Sequence, residues 1–382
     1  MAKTTFIDVE NKNTQLAIQN FLQSILELDH IEAILAPQKI GKSVMPVLIT
    51  DPELIETVDP LAPAFPLNAA KIVSKLTYKP MGKKIAVVLR PCEIRALVEL
   101  VKLKQASIDD ILIIGIDCFG AYTNKDYSLL KASGMTDLTE KFCENVLAEK
   151  EPPLENMNIS NACRACEQIV PENADIMLGL YGVDIKKQII LRSLTEKGDT
   201  LLKDLSIPDL KEFSEDTSER KNLISKIISK KTEFKDKMFS QAKQAVNSLD
   251  KLADYFSGCI NCYNCRVACP VCYCKECVFN TDVFNHDPYQ YIQWAKRKGS
   301  IKLPSDTSFY HITRLAHMSL ACVGCGQCSN ACPNDIPVME IFKYVSDQTQ
   351  SSFEYEAGKD INQVPPLSVF KEEEYLDVVG IN

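Results

Sequence analysis

Cysteines carry most of the chemistry that this sequence can be expected to perform. Cys259, Cys262, Cys265 and Cys269, followed by Pro270, make a C-x2-C-x2-C-x3-C-P run, and Cys322, Cys325, Cys328 and Cys332, followed by Pro333, repeat it. Three thiolates in one tight turn can cap three iron corners of a 4Fe-4S cluster, while the fourth, displaced past the turn, usually reaches the other cluster of a pair. The spacing therefore predicts one cluster on Cys259, Cys262, Cys265 and Cys332 and another on Cys322, Cys325, Cys328 and Cys269. Zinc is the competing occupant, because four-cysteine zinc sites also use C-x2-C pairs. Such sites rarely take three cysteines at this spacing with a fourth at x3 before proline.

Cys272, Cys274 and Cys277 follow at once in VCYCKEC. They are three thiols more than two clusters need, so they are read either as a further metal site, a cluster or zinc, or as reduced buried cysteines. Cys143 is available by count as a missing ligand and reads more simply as a core residue. His286, His311 and His317 lie in the same region without metal-ligand spacing to one another and are read as surface or core histidines.

A second group of thiols stands in the first half of the chain. Cys92 follows the apolar run 85–89 in LRPCEIRAL, and Cys118 ends the run 111–116 in IGIDC. Between them Ile94, Leu97, Val98 and Val101 recur at helical spacing, which makes a strand-helix-strand unit with parallel strands. Both thiols then emerge at the carboxyl edge of the sheet, where open α/β folds place their ligands. Cys92 is expected in the first turn of its helix, where the dipole favours a thiolate. With Cys163 and Cys166 of NACRAC, four thiols can converge on a third 4Fe-4S cluster; a lone C-x2-C zinc or redox pair is the alternative.

The elements that must position these residues divide the chain. Residues 1–202 read as α/β, with an opening helix pattern (Leu16, Ile18, Phe21, Leu22, Ile25, Leu26) and buried strands at 85–89, 111–116 and 188–191. Residues 203–256 are a charged helical connector with Leu223, Ile224, Ile227 and Ile228 as its one apolar stripe, read as solvated and without chemistry. Residues 257–345 form the dicluster module. The long insert between its two motifs, with apparent helices near 289–297 and 311–320, favours an α-helical dicluster ferredoxin-like domain over a compact β-type ferredoxin. Residues 346–382 are expected to be an extended C-terminal tail ending in the acidic stretch from Lys371.

Composition excludes several roles. The net charge is −8 with no long basic run, so the phosphate attraction behind nucleic-acid binding is missing. No apolar stretch approaches a membrane span, and the start MAKTTFIDVENKNTQ has no apolar leader, so a cytoplasmic location is expected. Sixteen cysteines in so large a chain, most at metal-ligand intervals, speak against a disulfide framework.

RPCEIRAL, GIDC, CRACEQIVPENADIMLGLYGV, the QIILRSLTEKGDTLL strand and hairpin, and HITRLAHMSLACVGCGQCSNACPNDIPV together resemble the beta-subunit family of deazaflavin-coenzyme-reducing hydrogenases and methanogen-type formate dehydrogenases. The resemblance implies FAD on the α/β domain beside a proximal 4Fe-4S cluster held by Cys92, Cys118, Cys163 and Cys166. It places Asp175, Gly179, Gly182 and Arg192 near the flavin. It also implies a deazaflavin coenzyme as substrate and a separate catalytic subunit of a formate dehydrogenase or hydrogenase as partner, with a heterodisulfide-reductase-type complex as another neighbour. Two departures stand out. The family's Gly-x-Pro-Cys turn is Leu89-Arg90-Pro91-Cys92 here, and its glycine-rich segment is absent from residues 1–40. Arg90 and Arg95 are then candidates for an anionic phosphate.

The expected function is that of an oxidoreductase subunit passing electrons between FAD and a catalytic partner through several clusters, since a flavin converts between two-electron and one-electron exchange. A flavin-free iron-sulfur wiring subunit between two larger proteins is the alternative.

Overall fold

The computed structural model describes residues 3–135, 137–149, 157–207, 210–212 and 216–369, and the expected acidic tail from Lys371 lies outside them. Eight strands make one mixed sheet: β1 (Lys3–Asp8), β2 (Ile31–Ile40), β3 (Ser43–Ile49), β4 (Lys84–Leu89), β5 (Ile111–Ile116), β6 (Ile176–Gly179), β7 (Gln188–Ser193) and β8 (Lys211–Glu212), in the order β3-β2-β4-β5-β6-β7-β1-β8. β2, β4, β5 and β6 run parallel. The remaining pairings are antiparallel. Every residue of β5, and all of β4 after Lys84, is buried, the continuous apolar run that a strand covered on both faces requires. β1 has no such run. It is held by its antiparallel register with β7, from Lys3 opposite Ser193 to Asp8 opposite Gln188, a long-range pairing that local sequence does not announce.

Each face of the sheet has its own core. On one face the helix Thr14–Leu26 buries Ile18, Phe21, Leu22 and Ile25 against β-strand residues that include Ile34, Val88 and Ile114, its start capped by the Asn13 side chain accepting from the Leu16 N–H. On the other face lies the crossover helix Pro91–Lys102, with proline in its first turn and Glu93 Oε2 accepting from the Arg90 N–H at 2.9 Å. Its Ile94, Leu97 and Val98 share one core with Val271, Val323, Val338, Ile341 and Phe342 of the C-terminal half. At about 1.5–3 kcal/mol for each large side chain fully removed from water, that shared core is what holds the cysteine-rich half on the sheet.

The C-terminal half is helical. Helices Pro288–Lys298 and Thr307–Met318 stand between the two cysteine runs, as expected, and Val338–Ser352 follows the second. Past it the chain turns back over the crossover helix, where the Tyr355 hydroxyl and the Gly358 N–H both donate to Glu99 Oε1 at 2.6 and 2.7 Å. Two local expectations need correction. After β7 the chain enters the helix Glu196–Asp204 rather than a hairpin, because Thr195 caps it by accepting from the Gly198 N–H. The charged connector contains the helix Ser218–Ala245, which is not simply solvated: Arg220 is 1% exposed, and Met238 and Ala242 are buried. Among the described residues no helix is long and apolar enough to cross a membrane.

Candidate iron-sulfur sites and an adjoining cleft

The parallel strands deliver the first thiols as expected. β4 ends at Leu89 and β5 at Ile116, so Cys92 and Cys118 leave the same carboxyl edge. Ser160 caps the short helix Asn161–Arg164 by accepting from the Cys163 N–H at 3.4 Å, and the turn after it carries Cys166. The four thiols lie within one another's electrostatic reach. Burial, then Glu93 and Cys118, push the Cys92 thiol well above its usual range. Burial raises Cys118 to about 11, with Cys163 and Cys166 adding to it.

The dicluster cysteines form two further groups. Cys269, Cys322, Cys325 and Cys328 act on one another: Cys328 is raised by burial and by Cys322, Cys269 and Cys325, and Cys269 is raised to about 11 by burial and Cys322. Cys259, Cys262, Cys265 and Cys332 line one small cavity with Tyr310 and His311. The thiols are thus grouped across the two runs, with Cys269 beside the second run and Cys332 beside the first. Among the described residues, no three His, Cys, Asp or Glu side chains converge on a point suited to a single metal ion, so zinc gains no support. Around the dicluster thiols stand buried polar nitrogens without hydrogen-bond partners: Arg266 Nε, His311 Nδ1 and Arg314 Nε. An anionic cluster with sulfide acceptors fits such a lining, since buried polar groups are otherwise paired.

His311, one of the histidines read as surface or core, is a buried one. It stacks on Phe256 at 3.7 Å between ring centres and brings Nε2 within 3.4 Å of Cys259 Sγ. His286 packs against Trp294 instead. The VCYCKEC thiols differ in their surroundings. Cys272 packs against the core that holds Cys269 and Cys325, Cys277 lies with Phe279 and Tyr310 beside Cys265, and Cys274 is exposed. Cys143 is buried among Phe142, Tyr122 and Leu138.

A cleft of about 590 Å³ opens beside the first thiol group. Phe119, Tyr122, Phe142, Tyr181 and Phe234 give it apolar walls; Arg164, Lys231 and Lys237 add positive charge, while Lys226 and Lys230 pair with Glu149, and Glu233 also lines it. Two of its wall residues touch the cysteine backbone: the Tyr181 hydroxyl donates to the Cys118 carbonyl at 2.8 Å, and Lys231 Nζ donates to the Cys163 carbonyl. Volume and lining fall within the range of small-molecule sites, and aromatic walls with cations suit a flavin nucleotide.

The four residues placed near the flavin by resemblance have internal partners. Asp175 accepts from the Ile113 N–H and the Thr195 hydroxyl at 2.8 and 2.5 Å, and Arg192 bonds Thr4 and Asp216. Gly179 and Gly182 pack against Arg220. Arg90 donates through Nη2 to the carbonyls of Ala62 and Ala64 at 2.7 and 2.9 Å, and Arg95 donates to that of Ala357.

Cysteine baskets at a sheet edge and in a helical module packed on that sheet define an iron-sulfur protein. Residues 255–336 match the 4Fe-4S dicluster domain, and residues 82–219 match the family described as the C terminus of the coenzyme F420 hydrogenase/dehydrogenase beta subunit. The chain is 30% identical over 375 residues to the F420-dependent formate dehydrogenase subunit beta of Methanocaldococcus jannaschii, covering 92% of this chain and 93% of that protein. It is 28% identical over 307 residues to the F420-dependent formate dehydrogenase 1 subunit beta of Methanococcus maripaludis, covering 74% and 75%. A chain of the F420-reducing [NiFe] hydrogenase complex from Methanosarcina barkeri superposes with a TM-score of 0.44 at 14% identity, over 65% of this chain and 94% of that one. The chain belongs to the family of coenzyme F420 hydrogenase and dehydrogenase beta subunits.

Proposed function

We propose that this chain passes electrons between a flavin in the cleft and a catalytic partner subunit, through three 4Fe-4S clusters held by Cys92, Cys118, Cys163 and Cys166, by Cys269, Cys322, Cys325 and Cys328, and by Cys259, Cys262, Cys265 and Cys332. The observation that carries this reading is a series of neighbouring groups that runs from the cleft to the third thiol group. The cleft touches Cys118 and Cys163 through Tyr181 and Lys231. Cys92 is within the electrostatic reach of Cys325. Gly326, at φ +80°, lies so near Ala162 that a Cβ on it would stand 2.4 Å from the Ala162 Cβ, and glycine there lets the two cysteine loops meet. Arg314 then joins the second thiol group to the third.

FAD would supply exchange of two electrons on its substrate side and of single electrons on the other. In this reading Phe119, Tyr181 and Phe234 cover its ring and Lys237 meets its phosphates, while Lys226 and Lys230 are held beside it by Glu149. The relatives are named F420-dependent formate dehydrogenase subunits, and we carry over coenzyme F420 as the two-electron substrate and a formate dehydrogenase catalytic subunit as the partner. A flavin-free relay is the second reading, favoured by the internal partners of Asp175, Gly182 and Arg192.

Iron and acid-released flavin in anaerobically purified protein test the reading. About twelve irons and about one FAD per chain are expected for three four-iron clusters. About eight irons would remove the cluster at the sheet edge. A full iron content without flavin, in protein never dialysed, would favour the relay.

A further inference from the structure

Arg314 is a buried cation placed between two groups of thiols. The helix Thr307–Met318 carries it, and only 4% of its surface is exposed. Nη1 donates to Cys265 Sγ at 3.1 Å and Nη2 to the Cys265 carbonyl at 3.2 Å, while Nε is buried without a partner. The guanidinium lies over the rings of Phe342 and Tyr310 at 4.6 and 5.6 Å. The groups that favour its charge are Cys265, Tyr310, Cys328 and Cys269, of which Tyr310 is kept a neutral phenol by burial. A cation buried this way costs several kcal/mol unless an anion compensates it, and the thiolates of two neighbouring clusters are the anions at hand. Cys265 belongs to one proposed cluster, Cys269 and Cys328 to the other.

We propose that Arg314 sets the reduction potentials of both clusters of the dicluster module, its fixed charge favouring the reduced, more negative state of each. The inference rests on the cluster assignment above. A guanidinium stays protonated throughout the accessible pH range, so its effect is that of a constant charge in a poorly screened interior. Each reduction adds one electron from the external reductant to one cluster and asks no proton of Arg314. The same charge lies between the clusters, so it also softens the repulsion felt by the second electron. At the sheet edge the cation that acts on Cys118 is a different one, Arg90.

The test is a dithionite titration of the whole purified protein through redox mediators, following each cluster's paramagnetic resonance signal in the wild type, Arg314→Met, Arg314→Gln and Arg314→Lys. In iron-replete neutral variants, two clusters are expected to fall in midpoint by about 59 mV or more, a tenfold change in the reduced-to-oxidised ratio at a fixed potential. The third should not move, and Arg314→Lys should stay near the wild type. Unchanged midpoints, or an equal shift of all three, overturn the proposal. If Arg314→Met loses iron, Arg314→Gln, whose amide can still donate to the Cys265 carbonyl, decides. Loss of iron from both neutral variants makes Arg314 a structural brace and overturns the proposal as well. Wild-type protein without cluster signals takes down the cluster assignment itself, an outcome distinct from all of these.

Discussion

Arg220 Nη1 lies 2.6 Å from Asp117 Oδ2, and Nη2 lies 3.1 Å from Asp117 Oδ1, with both side chains closed off from solvent. The pair ties the residue before Cys118 to the first turn of the helix Ser218–Ala245, whose later turns form one wall of the cleft. Asp117 Oδ2 also accepts from the N–H groups of Leu180 and Tyr181, so one carboxylate fixes three segments. Removing one member of a buried pair leaves the other charge uncompensated, at about 3–5 kcal/mol. Arg220→Met is therefore expected to lower the unfolding free energy by about 3 kcal/mol or more in urea titrations. A loss below about 1 kcal/mol, the size of an exposed pair, would show that the pair does not brace the fold.

The crossed ligation of the dicluster module makes a prediction that single variants cannot. If Cys259 and Cys332 serve one cluster, Cys259→Ser/Cys332→Ser loses about four irons, the content of one cluster. Cys259→Ser/Cys269→Ser then strikes both clusters and loses about eight. Iron analysis of the two double variants separates crossed from uncrossed ligation, because the uncrossed scheme gives the reverse order.

The crossover helix and the all-apolar strands β4 and β5 were legible because their residues are buried by local pattern alone. The cysteine runs were legible because cluster geometry is written in their spacing. The connector was not. Its single apolar stripe, Leu223, Ile224, Ile227 and Ile228, marks a packing face, but the roles of Lys231 and Phe234 appear only once that face is docked beside Cys163. His311 and Arg314 were unreadable for a related reason, since both act on cysteines about fifty residues away across the fold. A helical pattern near 311–320 with two basic residues on one face was the signal available, and it had no partner in the sequence.

Cys143 separates a packed cysteine from a ligand. Burial, then Asp59, push its thiol far above the ordinary range, and it faces Phe142 and Tyr122 in the helix Leu138–Leu147. It should resist iodoacetamide at pH 8 in the folded protein, because the thiolate is the reactive form. Cys143→Ala should leave the iron content unchanged. Loss of iron in the alanine variant would make it a ligand after all, and rapid alkylation would show that it is not buried in the folded protein.

Gly182 decides between two accounts of the residues that resemblance places near the flavin. Its φ is +76°, and a Cβ there would lie 2.6 Å from both Cα and Cβ of Arg220, which is backbone-anchored and cannot step aside. Gly182→Ala is expected to destabilise the protein by about 1–3 kcal/mol from backbone strain alone, with the clash in addition. Phe234 presents a different case: its ring lines the cleft and stacks under Arg164 at 3.9 Å, so its loss removes a cleft surface. Phe234→Ala should weaken flavin binding by about 1 kcal/mol, the scale of an aromatic stacking contact. Melting and flavin affinity measured on both variants distinguish the accounts. If Gly182→Ala releases flavin at an unchanged melting temperature while Phe234→Ala retains it, the flavin lies against β6 and not in the cleft.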